Sequence, residues 1–185
     1  IISCAYGNEP VVVRLLERKC NAKQTNIIGE TALHVALKHQ FSNIAVRLIR
    51  YGVNVNAKDG NGDFPLLLAV DYNAPEPLRL MLEKGANPNV QNQYGETAMV
   101  RAYLTGYLDM IPILLEHKPQ LDIPDNQGFT ILMRAASDGY LGIVKNLVQH
   151  GADRSVRNPA GKTASDLAQE NRYHQVVEYL SDETI

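Results

Sequence analysis

Across 185 residues there is no run of about 18 or more apolar side chains, so no membrane-spanning helix is expected, and no charged-then-apolar signal peptide opens the chain. Eighteen Lys and Arg stand against twenty Asp and Glu, a formal net charge of −2. With both signs dispersed, that balance gives no basic footprint for nucleic acid or for anionic lipid.

The first 25 residues carry one apolar ladder, Val11-Val12/Leu15-Leu16. Apolar pairs one turn apart make a wide stripe on a helix, fit for packing against a neighbour. Cys4 and Cys20, shifted by 33 residues, fall on Leu37 and Val53. Both are apolar sites, so the cysteines are expected as small core residues in a reducing, intracellular and cytoplasmic setting. The absence of an Asn-x-Ser/Thr sequon agrees with that expectation.

The segment Gly29-Glu-Thr-Ala-Leu-His-Val-Ala36 then sets a pattern. It returns as Gly62-Asp-Phe-Pro-Leu-Leu-Leu-Ala69, Gly95-Glu-Thr-Ala-Met-Val-Arg-Ala102, Gly128-Phe-Thr-Ile-Leu-Met-Arg-Ala135 and Gly161-Lys-Thr-Ala-Ser-Asp-Leu-Ala168, always 33 residues on. A fixed period without insertions means one supersecondary unit stacked on itself, burying its core between neighbours. The expected units are 26–58, 59–91, 92–124, 125–157 and 158–185, after a truncated one at 1–25, all in a single domain.

Each unit predicts two helices. The first is short, with Thr31, Thr97, Thr130 or Thr163 as N-cap and a small residue (Ala36, Ala69, Ala102, Ala135, Ala168) where adjacent helices approach. The second carries an apolar stripe, as in Ile44-Ala45/Leu48-Ile49, Met110-Ile111/Leu114-Leu115, Ile143-Val144/Leu147-Val148 and Val176-Val177/Leu180. Gly106 and Gly139 are placed to end first helices, and Gly52, Gly85 and Gly151 to end second helices, in the left-handed conformation. Phe41, Tyr107, Tyr140 and Tyr173 recur where second helices start and are expected to pack between units.

Unit 59–91 departs most from the pattern. Phe64 replaces the capping threonine, at a cost of about 1 kcal/mol. Asn73 stands where a glycine is wanted, and Pro75 and Pro77 bracket the start of the second helix, where a first turn tolerates proline. A seam of low stability is expected there. The two ends also differ. Ile1 aligns with His34 in mid-motif and Cys4, Val12, Leu15 and Leu16 continue the apolar pattern, so sequence is expected upstream. Ser165, Gln169 and Ser181 put polar residues on the last unit, as a terminal cap requires.

Reaction chemistry finds no constellation to support it. Asp59-Gly-Asn61-Gly-Asp63 starts like a calcium loop, but its sixth position is Phe64 and its twelfth Val70. The histidines (His34, His39, His117, His150, His174) have no ligand partner at helical spacing, the cysteines are not in CxxC form, and no nucleophile motif is present. No enzyme activity, metal, cofactor or small-molecule substrate is expected.

Thr31-Ala32-Leu33-His34-Val35-Ala36, with Ile44-Ala45-Val46-Arg47-Leu48-Ile49-Arg50-Tyr51-Gly52-Val53-Asn54 after it, closely resembles the ankyrin repeat. The resemblance runs through the whole chain. It implies an all-α solenoid of helix-turn-helix units joined by β-turn fingers, acting as a non-catalytic protein-protein interaction scaffold and monomeric unless fused to other domains. It also implies that His34 is structural, closing a capping box with Thr31. In the resembled family, partners lie on the concave side, against finger tips and first helices. Here that row holds Tyr6, Ile27, Ile28, Lys38, His39, Lys58, Asp63, Tyr72, Tyr94, Leu104, Phe129, Asp138 and Arg157, and the partner is expected to be a protein or peptide. Its charges alternate in sign from Glu30 to Arg157, and Tyr72 and Tyr94 are both expected outside the stacked core. Two alternatives stand beside this. The chain is a targeting module of a larger enzyme or effector, or it is a substrate for an asparaginyl hydroxylase, with Asn56 as the modified residue.

Overall fold

The computed structural model describes residues 1–182, so the last three residues of the unit expected at 158–185 lie outside the described residues. Twelve helices run in six pairs: α1 (Ile2–Ala5) and α2 (Glu9–Glu17), α3 (Ala32–Lys38) and α4 (Ser42–Tyr51), α5 (Pro65–Asp71) and α6 (Pro75–Glu83), α7 (Ala98–Thr105) and α8 (Met110–Leu115), α9 (Ile131–Ser137) and α10 (Leu141–Gln149), α11 (Ala164–Glu170) and α12 (His174–Ser181). First helices pack on first helices along the row, second helices pack on second from α2 to α8 and again between α10 and α12, and each pair is closed on itself. Apart from an isolated bridge between Thr25 and Thr31, the described residues contain no β-structure. The result is an all-α solenoid.

Local chemistry explains the helix limits. Thr31, Thr97, Thr130 and Thr163 each accept, through the side chain, from the backbone N–H three residues on. Phe64 makes no such bond, but Pro65 at the first helical position presets the backbone of α5. Gly52 and Gly106 close α4 and α7 in the left-handed region, and Asn73 adopts it too, with φ of 50° after α5.

The core is one continuous cluster along the stack. Leu33, Leu37, Ile44, Leu48, Leu66, Leu78, Met81, Met99, Met110, Leu114 and Ile131 are fully buried, and Ala36, Ala69, Ala102, Ala135 and Ala168 are sealed against neighbouring first helices. Cys4 joins this core. Cys20, expected there as well, is only half-buried, because it lies in the loop after α2. The aromatics at the start of second helices do pack between units: the Phe41 ring covers Gly7, and the Tyr173 ring covers Gly139. Tyr140 instead meets Tyr103 edge-on, 5.8 Å between centroids, and stays half exposed.

Candidate partner-binding surface

Between units the chain makes a finger, and each finger is built on one Asn or Asp. The Asn26 side-chain oxygen accepts from the backbone N–H groups of Ile28 (3.1 Å) and Glu30 (2.9 Å), and the Asn26 backbone N–H donates to the Glu30 carbonyl. Asp59, Asn92, Asp125 and Asn158 repeat this at 33-residue intervals. These five residues were missed in the sequence, although their 33-residue spacing was legible. Successive fingers are hydrogen-bonded at two places: Gly60 N–H donates to the Ile28 carbonyl (2.8 Å), and Asn126 N–H to that of Tyr94 (3.0 Å). At Gly60 the approach leaves no room for a side chain, since a Cβ there would sit 2.6 Å from the Ile28 oxygen, whereas the equivalent position two units on holds Asn126.

Behind the fingers, most charges on the predicted row are satisfied inside the protein. Lys38 reaches Glu30 (2.8 Å), Asp59 (3.1 Å) and Asp63 (3.6 Å). Burial would push the Lys38 pKa down, but bonds to the Glu30 and Asp59 carboxylates outweigh it and hold the ammonium well above its ordinary value. Burial likewise raises Glu30 and Asp59, and their bonds to Lys38 and to neighbouring amides bring both below the usual carboxylate range. Arg101 grips Asp71 (2.5 Å) and Glu96 (3.2 Å), and Arg134 grips Asp125 while lying over the Phe129 ring. The Tyr103 hydroxyl donates to Asp138 at 2.5 Å, and burial together with that carboxylate pushes the phenol pKa well up. Arg101, Arg134 and Tyr103 were not foreseen, since each partner sits in another turn or another unit.

These contacts correct three expectations. Glu30 is buried rather than displayed, so the alternating charges are largely consumed within the stack. Tyr72 ends α5 and packs against the core, and Phe129 is also half-buried under Arg134, so neither is a free anchor. Lys38 and Asp63 are half-buried in the network above. Exposed on the same row stand Tyr6, Ile27, Ile28, Tyr94 and Leu104, with Ile27 fully exposed (103%), Tyr94 59% and Leu104 44% exposed. His39 is exposed and stacks on Phe41, Lys58 lies over the Phe64 ring, and Arg157 donates to the Gly161 carbonyl. Among the described residues no three His, Cys, Asp or Glu side chains converge to hold a metal ion, and no helix is long and apolar enough to cross a membrane.

On the opposite edge of each unit, the loop after the second helix is tied to the next. The Asn56 side chain donates to the Gly85 carbonyl (3.0 Å) and accepts from Asn87 N–H (2.8 Å); Asn89 accepts from Gln120 N–H and Asp122 from Asp153 N–H. Asn56 is exposed, yet both ends of its amide are engaged.

The family model described as "Ankyrin repeats (3 copies)" matches residues 1–92, 66–158 and 127–185. The chain belongs to the ankyrin repeat family. Its fold is similar to that of EF0377, an ankyrin repeat protein (TM-score 0.85, 30% identity, covering 97% of this chain and 94% of that one). It is also similar to an ankyrin repeat domain, ABAYE2397, from Acinetobacter baumannii AYE (TM-score 0.89, 28% identity, 97% and 94% covered). In sequence it resembles the SMC5-SMC6 complex localization factor protein 1 of Mus musculus (38% identical over 76 residues) and of Homo sapiens (39% over 72). Those matches cover 40% and 38% of this chain but only 7% and 6% of the relatives' length. Ankyrin repeats are generally non-catalytic protein-protein interaction modules.

Proposed function

We propose that residues 1–185 act as one ankyrin-repeat domain, with units at 1–25, 26–58, 59–91, 92–124, 125–157 and 158–185, that binds a protein or peptide across its fingers and first helices and performs no catalysis. The observation that carries this is the contrast on that side: charges are locked into internal pairs while Ile27, Tyr94 and Leu104 stand free. Large apolar and aromatic side chains held out on a rigid frame are the anchors from which interfaces draw their affinity. The partner therefore presents apolar side chains to the Ile27-Ile28 tip and to Tyr94, with His39, Lys58, Asp138 and Arg157 at the polar rim. We place the domain inside the cell, where Cys4 and Cys20 stay reduced.

The test is selection from a displayed random-peptide library against the chain, followed by affinity measurements on Tyr94→Ala and Leu104→Ala. Each substitution is expected to cost about 1–3 kcal/mol where it removes an anchor, with the thermal midpoint unchanged. Peptides that bind both variants as well as the parent, with amide protection on the second helices, overturn the proposal.

A second reading has its own support. The matched relatives are far longer than this chain and their name is that of a localization factor, which fits a targeting module within a larger protein. Modification of Asn56 is the third. An asparaginyl hydroxylase would first have to break the bonds to Gly85 and Asn87. Mass spectrometry after incubation with such an enzyme decides it, and an unmodified Asn56 beside a modified Asn89 refutes the site.

A further inference from the structure

The net charge of −2 conceals a polarised chain. Residues 1–58 hold eight Lys and Arg against three Asp and Glu, net +5, whereas residues 59–185 hold ten against seventeen, net −7. The expectation of evenly dispersed charge is thereby corrected. Part of the excess lies on the side away from the fingers. There, an open groove runs between the second helices of the first two units, lined by Val13, Leu16, Glu17, Arg47, Arg50 and Tyr51. Its floor is apolar, and Tyr51 is held across it by a bond from its hydroxyl to the Cys20 carbonyl. Arg47 is neutralised by Glu9 at 2.6 Å. Arg50 is exposed and, among the described residues, has no carboxylate within salt-bridge distance, and the same holds for Arg14, Arg18 and Lys19, exposed on and just after α2 beside the groove's own lining residues Val13, Leu16 and Glu17. The equivalent stretch of the next unit reads Glu76, Arg79, Glu83, Lys84, so the excess of free cations ends there.

We propose that this second-helix groove is a separate docking surface for an acidic protein segment that carries an aliphatic or aromatic side chain. The unpaired Arg50 in the groove supplies charge-assisted bonds to a carboxylate, and the exposed cations Arg14, Arg18 and Lys19 nearby in the chain add long-range attraction. The apolar floor supplies a seat for one side chain, which a phosphate backbone would leave empty. Glu17 on the lip repels phosphate, while a peptide can meet it with an amide or a cation. On the finger side, by contrast, Lys38, Arg101 and Arg134 are already neutralised by carboxylates of the internal networks.

The test uses the full chain and labelled peptides of alternating Glu and Leu, the Gln/Leu twin, poly-Glu, and single-stranded DNA of equal length. The Glu/Leu peptide is expected to bind at least about tenfold more tightly than either the Gln/Leu twin or poly-Glu, since a carboxylate pair and a seated side chain are each worth about one decade. Arg50→Glu, alone and with Arg14→Glu, is expected to weaken it by at least about tenfold. Lys84→Glu one unit on, and Tyr94→Ala on the finger side, are expected to leave it unchanged, which separates this surface from the proposed finger site. Circular dichroism on Arg50→Glu checks the fold, and Arg14→Glu alone serves should it be perturbed. Equal binding of the Gln/Leu twin, tighter binding of DNA, or insensitivity to both arginine substitutions overturns the proposal. So does self-association in sedimentation that Arg50→Glu abolishes, since the groove would then be filled by a second copy.

Discussion

His34 offers a measurement in which both the size and the pH dependence follow from geometry. Its ring is fully buried at 0% exposure. The Nδ1 atom accepts from the Thr31 N–H (3.2 Å) and meets the Thr31 hydroxyl at 2.8 Å, while Nε2–H donates to the Asp63 carbonyl of the next finger (3.2 Å). One neutral ring thus caps a helix and fastens one unit to the next. His34→Leu is the informative change, because the structurally equivalent residue one unit on is Leu67. The variant loses these bonds and leaves the Thr31 N–H and the Asp63 carbonyl without that partner; at about 1 kcal/mol net per bond, partly offset by the leucine's own burial, a loss of about 2 kcal/mol is expected at pH 7.5. Burial lowers the pKa of His34, more strongly than the Asp63 carbonyl and the nearby Asp59 and Glu30 carboxylates raise it. A depressed folded-state value means the unfolded chain takes up the proton first. The contribution is therefore complete above the unfolded value near 6.5 and is lost as pH falls below it, by at most about 1.4 kcal/mol per pH unit. Urea denaturation of parent and variant from pH 7.5 to 5.5 should show their stability gap narrowing with acidity, and the subtraction removes every group titrating alike in both. A gap that is absent at pH 7.5, or constant across the range, would refute the reasoning.

Three further outcomes are expected. Gly60→Ala forces a Cβ to within 2.6 Å of the Ile28 carbonyl oxygen and strains the bond between those fingers; a loss of about 1–3 kcal/mol is expected by chemical denaturation. Lys38→Met strips the cation from the buried Glu30 and Asp59; with Lys38 only 22% exposed, a loss of about 1–3 kcal/mol is expected, larger than for Arg79→Met in the exposed pair with Glu116. Amide exchange should be faster in α5, whose N-cap Phe64 makes no capping bond, than in α9 under the Thr130 cap, and equal protection would remove the seam.

How far the sequence could be read divides along the range of each interaction. Thr31, Thr97, Thr130 and Thr163 were legible as caps because a cap needs only the three residues after it. Gly52 and Gly106 were legible for the same local reason, a left-handed end to a helix. The stripe of Ile44, Leu48 and Ile49 followed from helical period, and the stacking from the 33-residue repeat. Tyr72 and Tyr94 both looked like surface tyrosines, yet Tyr94 stands exposed on a finger tip and Tyr72 ends a helix against the core. Depth of that kind depends on the neighbouring unit and leaves no mark in a local window. The pairings of Lys38, Arg101 and Arg134 were hidden for a similar reason. Of their partners, Asp59, Asp63 and Asp71 lie in an adjacent unit, and Glu30, Glu96 and Asp125 lie five to nine residues away across a finger.

Comparing one pair of equivalent sites shows what the drift in unit 59–91 has cost and what it has kept. In unit 26–58 the pair is Glu30 and Lys38, which satisfy each other, and in unit 158–185 it is Lys162 and Glu170, the same pair reversed, at 2.6 Å. In unit 59–91 both sites are acidic, Asp63 and Asp71, which would repel if left alone. Each has instead found a cation in an adjoining unit: Asp63 pairs with Lys38 on one side, and Asp71 with Arg101 on the other. Asp59 adds a third carboxylate to Lys38, and His34 donates to the Asp63 backbone. The unit that lacks its threonine cap is thus electrostatically tied to both neighbours. Loss of the cap weakens the first turn of α5 locally, while breaking the stack at this unit would strand carboxylates on both of its faces. A seam there should consequently open as a fraying helix within an intact row, and the rigid spacing between the Ile27-Ile28 tip and Tyr94, on which a partner's anchors depend, survives it.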